Sequence, residues 1–142
     1  MRIRPALSAD AIGELLDQLG YPQDSPAVRI QTWLDDPACA VYVADDGEVQ
    51  GVIAVQLCRF FERDGAWGRI TALVVSDAVR GQGVGSRLVA AAEAFAADHG
   101  CVRMEVTSAD RRVAAHKFYQ GRGYTDQAGK SSRFLRELPA SQ

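Results

Sequence analysis

Hydrophobic positions along this chain follow two rhythms, and the sharpest change of rhythm falls between Ile70 and Ala97. Ile70–Val75 is a nearly unbroken apolar, β-branched run, the pattern of a buried strand. From Val84 the spacing turns helical, with Val84, Leu88, Ala92, Phe95 and His99 recurring at steps of three and four on one face. Upstream, Arg2–Arg4 reads as a short strand ended by Pro5. Ser8 caps a helix over Ala9–Leu19, with Asp10 favourable in its first turn and Ile12, Leu15, Leu16 and Leu19 on its buried face. Gly20-Tyr21-Pro22 stops it. Ser25-Pro26 starts a second helix, whose apolar contacts are Val28, Ile30, Trp33 and Leu34, and Asp36-Pro37 ends it. Ala40–Ala44 and Val49–Leu57 form a hairpin about Asp46-Gly47, the second arm running as far as Phe61. Glu62-Arg63-Asp64-Gly65 then turns into the central strand.

Beyond the central helix, His99-Gly100 is a stop signal and Val102–Thr107 a strand. Arg112–Arg122 is a short helix closed by Gly123, and Tyr124 leads to a last strand near Ser132–Leu138. The order β-α-α-β-β-β-α-β-α-β-β describes an α/β protein with a mixed sheet. At 142 residues, without repeats or linkers, residues 1–142 read as one domain.

Charge and cysteine content narrow the function classes. A net charge of −2, with no block of Lys or Arg, argues against nucleic acid as a partner. MRIRPALSAD lacks the apolar core of a signal peptide, and no run reaches membrane-spanning length, so a cytoplasmic protein with no membrane partner is expected. Cys39, Cys58 and Cys101 are odd in number and lack metal spacing. They read as core thiols of a reducing compartment, with no metal site expected.

Candidate chemistry sits at the change of rhythm, in Arg80-Gly81-Gln82-Gly83-Val84-Gly85-Ser86. Glycines there admit a ligand close to the backbone, and the N–H groups of the turn and of the first helical residues converge on an anion. Arg80 adds a cation. A Walker loop would need Gly-Lys-Ser/Thr at its end, and Gly85 is followed by Ser86-Arg87. The dinucleotide fingerprint fits Gly81 and Gly83 but meets Ser86 at its third position, and too little chain follows Glu105 for the further βα units that fold requires. A flexible linker before a helix is the plainest alternative.

A third pattern, Arg/Gln-x-x-Gly-x-Gly/Ala, matches Arg80, Gly83 and Gly85, and a second one lies downstream. Ala115, Tyr119, Gly123 and Tyr124 fit Ala-x-x-x-Tyr-x-x-x-Gly-Phe/Tyr within Arg112-Val113-Ala114-Ala115-His116-Lys117-Phe118-Tyr119. Together they make the chain resemble a single-domain member of the GNAT superfamily of acyl-CoA-dependent N-acyltransferases. The resemblance implies that Ile70–Val75 and Val102–Thr107 splay apart to admit acetyl-CoA as co-substrate. It places the pantetheine arm on the main chain of Leu73, Val74 and Val75, and the pyrophosphate on Gly81, Gln82, Gly83, Val84, Gly85 and Ser86, beside Arg80. Many members carry Asn seven residues before the tyrosine. Here that residue is Arg112, which reaches a CoA phosphate or faces solvent.

The same resemblance implies direct attack of an amine on the thioester, with Tyr119 as general acid for the leaving thiolate. Core stacking beside Phe118 is the alternative role for that ring. Glu105 aligns with the carboxylate that serves as base in some members, and is otherwise a solvated strand residue. Glu62 and Asp64 could draw in a cationic acceptor, His116 reads as a surface or capping residue, and His99 packs at its helix end. Lys130, Arg133 and Arg136 form a solvated edge. The expected activity is transfer of acetyl to a primary amine, on a small molecule or a protein. Transfer of a longer acyl group, and a catalytically silent acyl-CoA-binding module, are the rivals. Homodimerisation is left open.

Overall fold

The strands and helices of the computed structural model, which describes residues 1–108 and 112–140, fall into two units, Met1–Thr107 and Ser108–Gln142. The first runs β1 (Arg2–Pro5), α1 (Gly13–Gln18), α2 (Pro26–Leu34), β2 (Cys39–Asp45), β3 (Val49–Arg59), β4 (Ala66–Val75), a 3-10 turn (Asp77–Val79), α3 (Val84–Asp98) and β5 (Cys101–Val106). The sheet order is β1-β2-β3-β4-β5. Every neighbouring pair is antiparallel except β4–β5, which is parallel because α3 carries the chain back across the sheet. This is the expected mixed α/β fold.

Strand alternation sorts the core into two layers. On one face Val41, Val43, Val52 and Val74 meet Ala6, Ile12, Leu15 and Ile30, joined by the half-buried Leu16, Leu19 and Trp33. On the other face α3 buries Val84, Leu88, Val89, Ala92 and Ala96. Fully burying a side chain such as Leu88 contributes about 1.5–3 kcal/mol. The seat of α3 depends on missing side chains. A Cβ on Gly51 would lie 2.9 Å from Leu88 Cδ1, and one on Gly68 would lie 2.9 Å from the Cβ of Ala96 and 2.7 Å from Met104 Sδ.

The hairpin turns where its sequence predicts. Gly47 has φ +106°, and the carboxylates of Asp45 and Asp46 accept from the backbone N–H groups of Gly47 and Glu48 at 2.8 and 3.2 Å. α2 opens on Pro26 as expected, though the Ser25 side chain makes no capping bond.

Three expectations change. The first helix begins at Gly13, not Ala9, because Asp10 is spent elsewhere. Its carboxylate accepts from Leu7 N–H at 2.7 Å and from two Arg4 nitrogens at 2.9 and 2.8 Å, closing a turn instead of a helix end. On α3 the buried stripe continues through Ala96, leaving Phe95 half-buried and His99 exposed. The His99 ring lies 4.4 Å from that of Phe95, and its Nδ1 is 2.8 Å from the Phe95 carbonyl. The closing strands do not form, and described residues after Tyr124 are exposed, Phe134 at 95 %. Propensity makes residues 132–138 extended-prone, but a strand exists only where another edge completes its hydrogen bonds.

The second unit holds α4 (Val113–Gly121), closed by Gly123 at φ +91° as its sequence signals. Tyr124 N–H donates back to the Tyr119 carbonyl at 3.0 Å. Cys39, Cys58 and Cys101 are free and half-buried. Burial raises all three thiols, that of Cys39 to about 11 with help from Asp36, so they stay protonated and weakly nucleophilic.

The Arg4 clasp makes the fold acid-sensitive. Hydrogen bonding to Arg4 holds the Asp10 carboxyl below its ordinary range, and the Gly47 N–H and then Arg4 do the same for Asp45, whose Oδ2 lies 3.0 Å from Arg4 Nε. A lowered folded pKa stabilises fully above the unfolded value of about 3.9, and that gain disappears as pH falls through the lowered value. Asp10→Asn should therefore cost about 1 kcal/mol at pH 7 and flatten the acid limb of a stability–pH curve, measured by urea unfolding between pH 7 and 3.

Candidate active site

The site in the first unit begins where β5 leaves β4. The parallel ladder runs from Ala66↔Cys101 to Ile70↔Val106 and stops. At the same point β4 has Thr71 as an extra residue against β3, a bulge between Ala54 and Val55 that bends the strand. Among the described residues, β4 pairs with β3 alone from Ala72 to Val75. Ser76 N–H donates to the Gln50 carbonyl at 2.8 Å, which sets the phase of that ladder. Alternation then turns the N–H and C=O of Val74 toward β3, and those of Leu73 and Val75 toward the edge that β5 has vacated. The splay expected from the sequence is this departure. Its bulge went unnoticed in sequence, since an extra residue in a ladder has no compositional signature.

The open edge runs straight into the glycine turn. Ser76 Oγ accepts from Ala78 N–H at 3.3 Å to start the 3-10 turn, and the backbone reverses through Gly81 (φ +81°) and Gly83 (φ +78°). Both glycines have left-handed backbone, and a Cβ at either would meet nothing within 4 Å, so the loop is open to a ligand. Gly83 is the N-cap of α3, and no side chain caps the N–H groups of Val84, Gly85 and Ser86. Those donors suit an anion. Arg80 is exposed, and its Nη1 lies 2.6 Å from Asp77 Oδ1, so its charge is partly engaged locally. Gln82 is exposed beside it.

Against the α1–α2 face of the sheet lies a cleft of about 380 Å³. Val52, Ala54 and Ala72 form its floor, Leu16, Leu19 and Trp33 its walls, and Tyr21, Gln23, Arg29 and Thr71 complete the lining. In the sequence Tyr21 reads as part of the turn that stops the first helix, and Gln23 and Arg29 carry no expected role. The one available signal is that Arg29 lies four residues before Trp33, hence on the same helix face. A second hollow, of about 510 Å³ beside Ser8–Glu14, touches neither β4 nor the glycine turn, and its Asp10 is committed to Arg4.

Glu105 stands opposite Arg69 in the β4–β5 ladder, on the sheet face that carries the cleft. Its Oε1 is 2.8 Å from Arg69 Nη1, with both side chains close to half exposed. Glu62 and Asp64 lie on the exposed loop before β4. Among the described residues no group of three His, Cys, Asp or Glu could hold a metal, and no helix is long and apolar enough to cross a membrane.

In the second unit, Arg112 is exposed at the N-cap of α4, and residues 109–111 lie outside the described residues. Tyr119 is half-buried. Its ring meets Phe118 and Tyr124 edge-on at 5.1 and 5.6 Å. Burial holds its phenol above the ordinary tyrosine range, against a smaller opposing pull from Arg112, so the proton is in place at neutral pH. His116 is half-buried on the same helix.

A parallel strand pair that separates above a glycine turn has a match among known proteins. Residues 9–124 fit the profile of the Acetyltransferase (GNAT) family. The chain belongs to the GNAT acetyltransferase family. This is the family that the sequence motifs resemble. The chain is 39 % identical over 80 residues to the aminoalkylphosphonate N-acetyltransferase of Salmonella typhimurium, a match covering 56 % of this chain and 51 % of that relative, about half its length. A putative acetyltransferase from Agrobacterium tumefaciens superposes with a TM-score of 0.80 at 23 % identity, covering 96 % of this chain and 100 % of that one. The aminoglycoside N-acetyltransferase AAC(6')-Iy, solved with a bisubstrate analogue of CoA, gives 0.81 at 20 % identity, covering 97 % and 98 %. At these identities the superpositions establish the GNAT fold.

Acetyl-CoA should raise the melting temperature, and a ligand at 100 times Kd adds about 2.7 kcal/mol of stability. Gly83→Asp should abolish that shift, because it sets a carboxylate where the donors of Val84–Ser86 converge. A melting scan in which Gly83→Asp keeps the full shift would move the phosphate-binding turn elsewhere.

Proposed function

We propose that this protein is an N-acetyltransferase that moves the acetyl group of acetyl-CoA onto a primary amine by direct attack. The observation that carries the reading is the continuity of the vacated β4 edge with the uncapped N-terminus of α3, in a GNAT family member. Gly81–Ser86 would hold the pyrophosphate, with Arg80 released toward it from Asp77. The outward N–H and C=O groups of Leu73 and Val75 would pair with the pantetheine amides, with Val74 packing beneath them. Arg112 would add a cation to the CoA phosphates.

The amine nitrogen bonds to the thioester carbonyl carbon, the C–S bond breaks, and the thiolate takes a proton. Tyr119 is the proposed donor, a role that its matched motif and its protonated phenol support. The acceptor must first lose a proton, since an alkylammonium has a pKa of roughly 10. Glu105 is the proposed receiver, because it is the carboxylate on the cleft face of β5. Its partner Arg69 keeps it oriented. The acceptors named for relatives, an aminoalkylphosphonate and an aminoglycoside, are amines, which fits this reaction. Release of CoA across a panel of amines tests the activity, and binding of acetyl-CoA without release under any acceptor would make the protein a binding module.

Tyr119→Phe keeps the ring and its stacking while removing the phenolic proton. Acetyl-CoA affinity should stay within a few-fold and kcat should fall by on the order of 10². Wild-type turnover in that variant would remove Tyr119 from the mechanism. Glu105→Gln should lower kcat/KM most at low pH, where the acceptor is most fully protonated. An unchanged pH–rate profile would assign deprotonation to water.

A further inference from the structure

The cleft on the α1–α2 face carries one charge, and that charge is positive. Among its lining residues Arg29 is the sole ionisable group charged at neutral pH, and none is a carboxylate. A site built for an acceptor with several ammonium groups would need acidic partners for them, and this one offers a guanidinium instead.

The guanidinium is also aimed. Gln23 Nε2 donates to the Tyr21 carbonyl at 3.0 Å, which turns Gln23 Oε1 toward Arg29. That oxygen accepts from Arg29 Nε at 3.0 Å. The Nε–H is thereby used, and neither Nη group has a bond among the described residues. Two Nη groups in one plane match the paired oxygens of a phosphonate, phosphate or carboxylate. Four residues on, Trp33 supplies an apolar wall, and Val52, Ala54 and Ala72 an apolar floor that ends at Thr71, where β4 opens.

We infer that the acceptor is a small amine whose other end is an anion, held by Arg29 at the mouth of the cleft while its apolar body lies on Trp33 and the sheet. This rests on the acetyltransferase reading above and adds the acceptor class to it. Arg29 is then a specificity-determining residue, since it contacts the acceptor away from the reacting atoms.

The test compares acceptors of matched length on the acetyl-CoA-loaded protein: 2-aminoethylphosphonate, β-alanine, n-propylamine and 1,3-diaminopropane. The two anionic amines should show KM values about tenfold or more below the other two. Whichever of them is better identifies phosphonate or carboxylate as the anion. Arg29→Gln should erase the preference with kcat within about twofold, and Arg29→Lys should keep part of it. Equal or better use of n-propylamine or the diamine by the wild type overturns the inference, as does an Arg29→Gln loss equal for all four amines. Melting shifts separate this failure from that of the parent reading. With no CoA release under any amine, acetyl transfer fails, yet a shift with 2-aminoethylphosphonate that Arg29→Gln abolishes upholds the anion site. No shift with either anionic amine, alongside no turnover, overturns both.

Discussion

Every functional feature of the first unit depends on β4 losing a neighbour at Ile70. A strand inside a sheet has its main-chain donors and acceptors satisfied on both sides, and unpaired ones need a partner. Here the bulge at Thr71 bends β4 where β5 ends, so the outward groups of Leu73 and Val75 have no ladder partner among the described residues. An extended amide-bearing ligand can take the vacated position at little conformational cost to the protein, because the donors are already fixed. The glycine turn continues the same line. Its two left-handed glycines and the bare end of α3 offer N–H groups where β4 finishes. Under the proposed function, one departure in a ladder would provide both a slot for amides and a socket for an anion.

The rigidity behind this arrangement comes from close approach. α3 lies on the sheet at Gly51 and Gly68, where a methyl group would meet Leu88, Ala96 or Met104. Tight seating fixes where the helix begins, and therefore where its free N–H groups point. The opposite layer is looser and more varied, with half-buried Leu16, Leu19 and Trp33 around a cleft. Arg29 lines that cleft, its Nε held by Gln23, which is in turn held by the carbonyl of Tyr21.

Much was determined by the sequence alone. Steps of three and four placed α3, Asp46-Gly47 placed the hairpin, and Gly100 and Gly123 marked helix ends, because these signals act over a few residues of backbone. The glycine turn and the Tyr119 motif were legible for the same reason: each is local in the chain. Only the tertiary structure decided the rest. Asp10 looked like a helix-start residue and became the partner of Arg4, since a charge-assisted pair with the preceding strand outweighs a first-turn preference. Residues 132–138 have strand propensity but no ladder, because pairing is a property of two edges and propensity belongs to one. The bulge at Thr71, the pairing of Glu105 with Arg69 and the meeting of Arg29 with Ala54 and Ala72 around one cleft join residues far apart in sequence or depend on register. A local pattern carries no information about register, so these features could be read only from the folded chain.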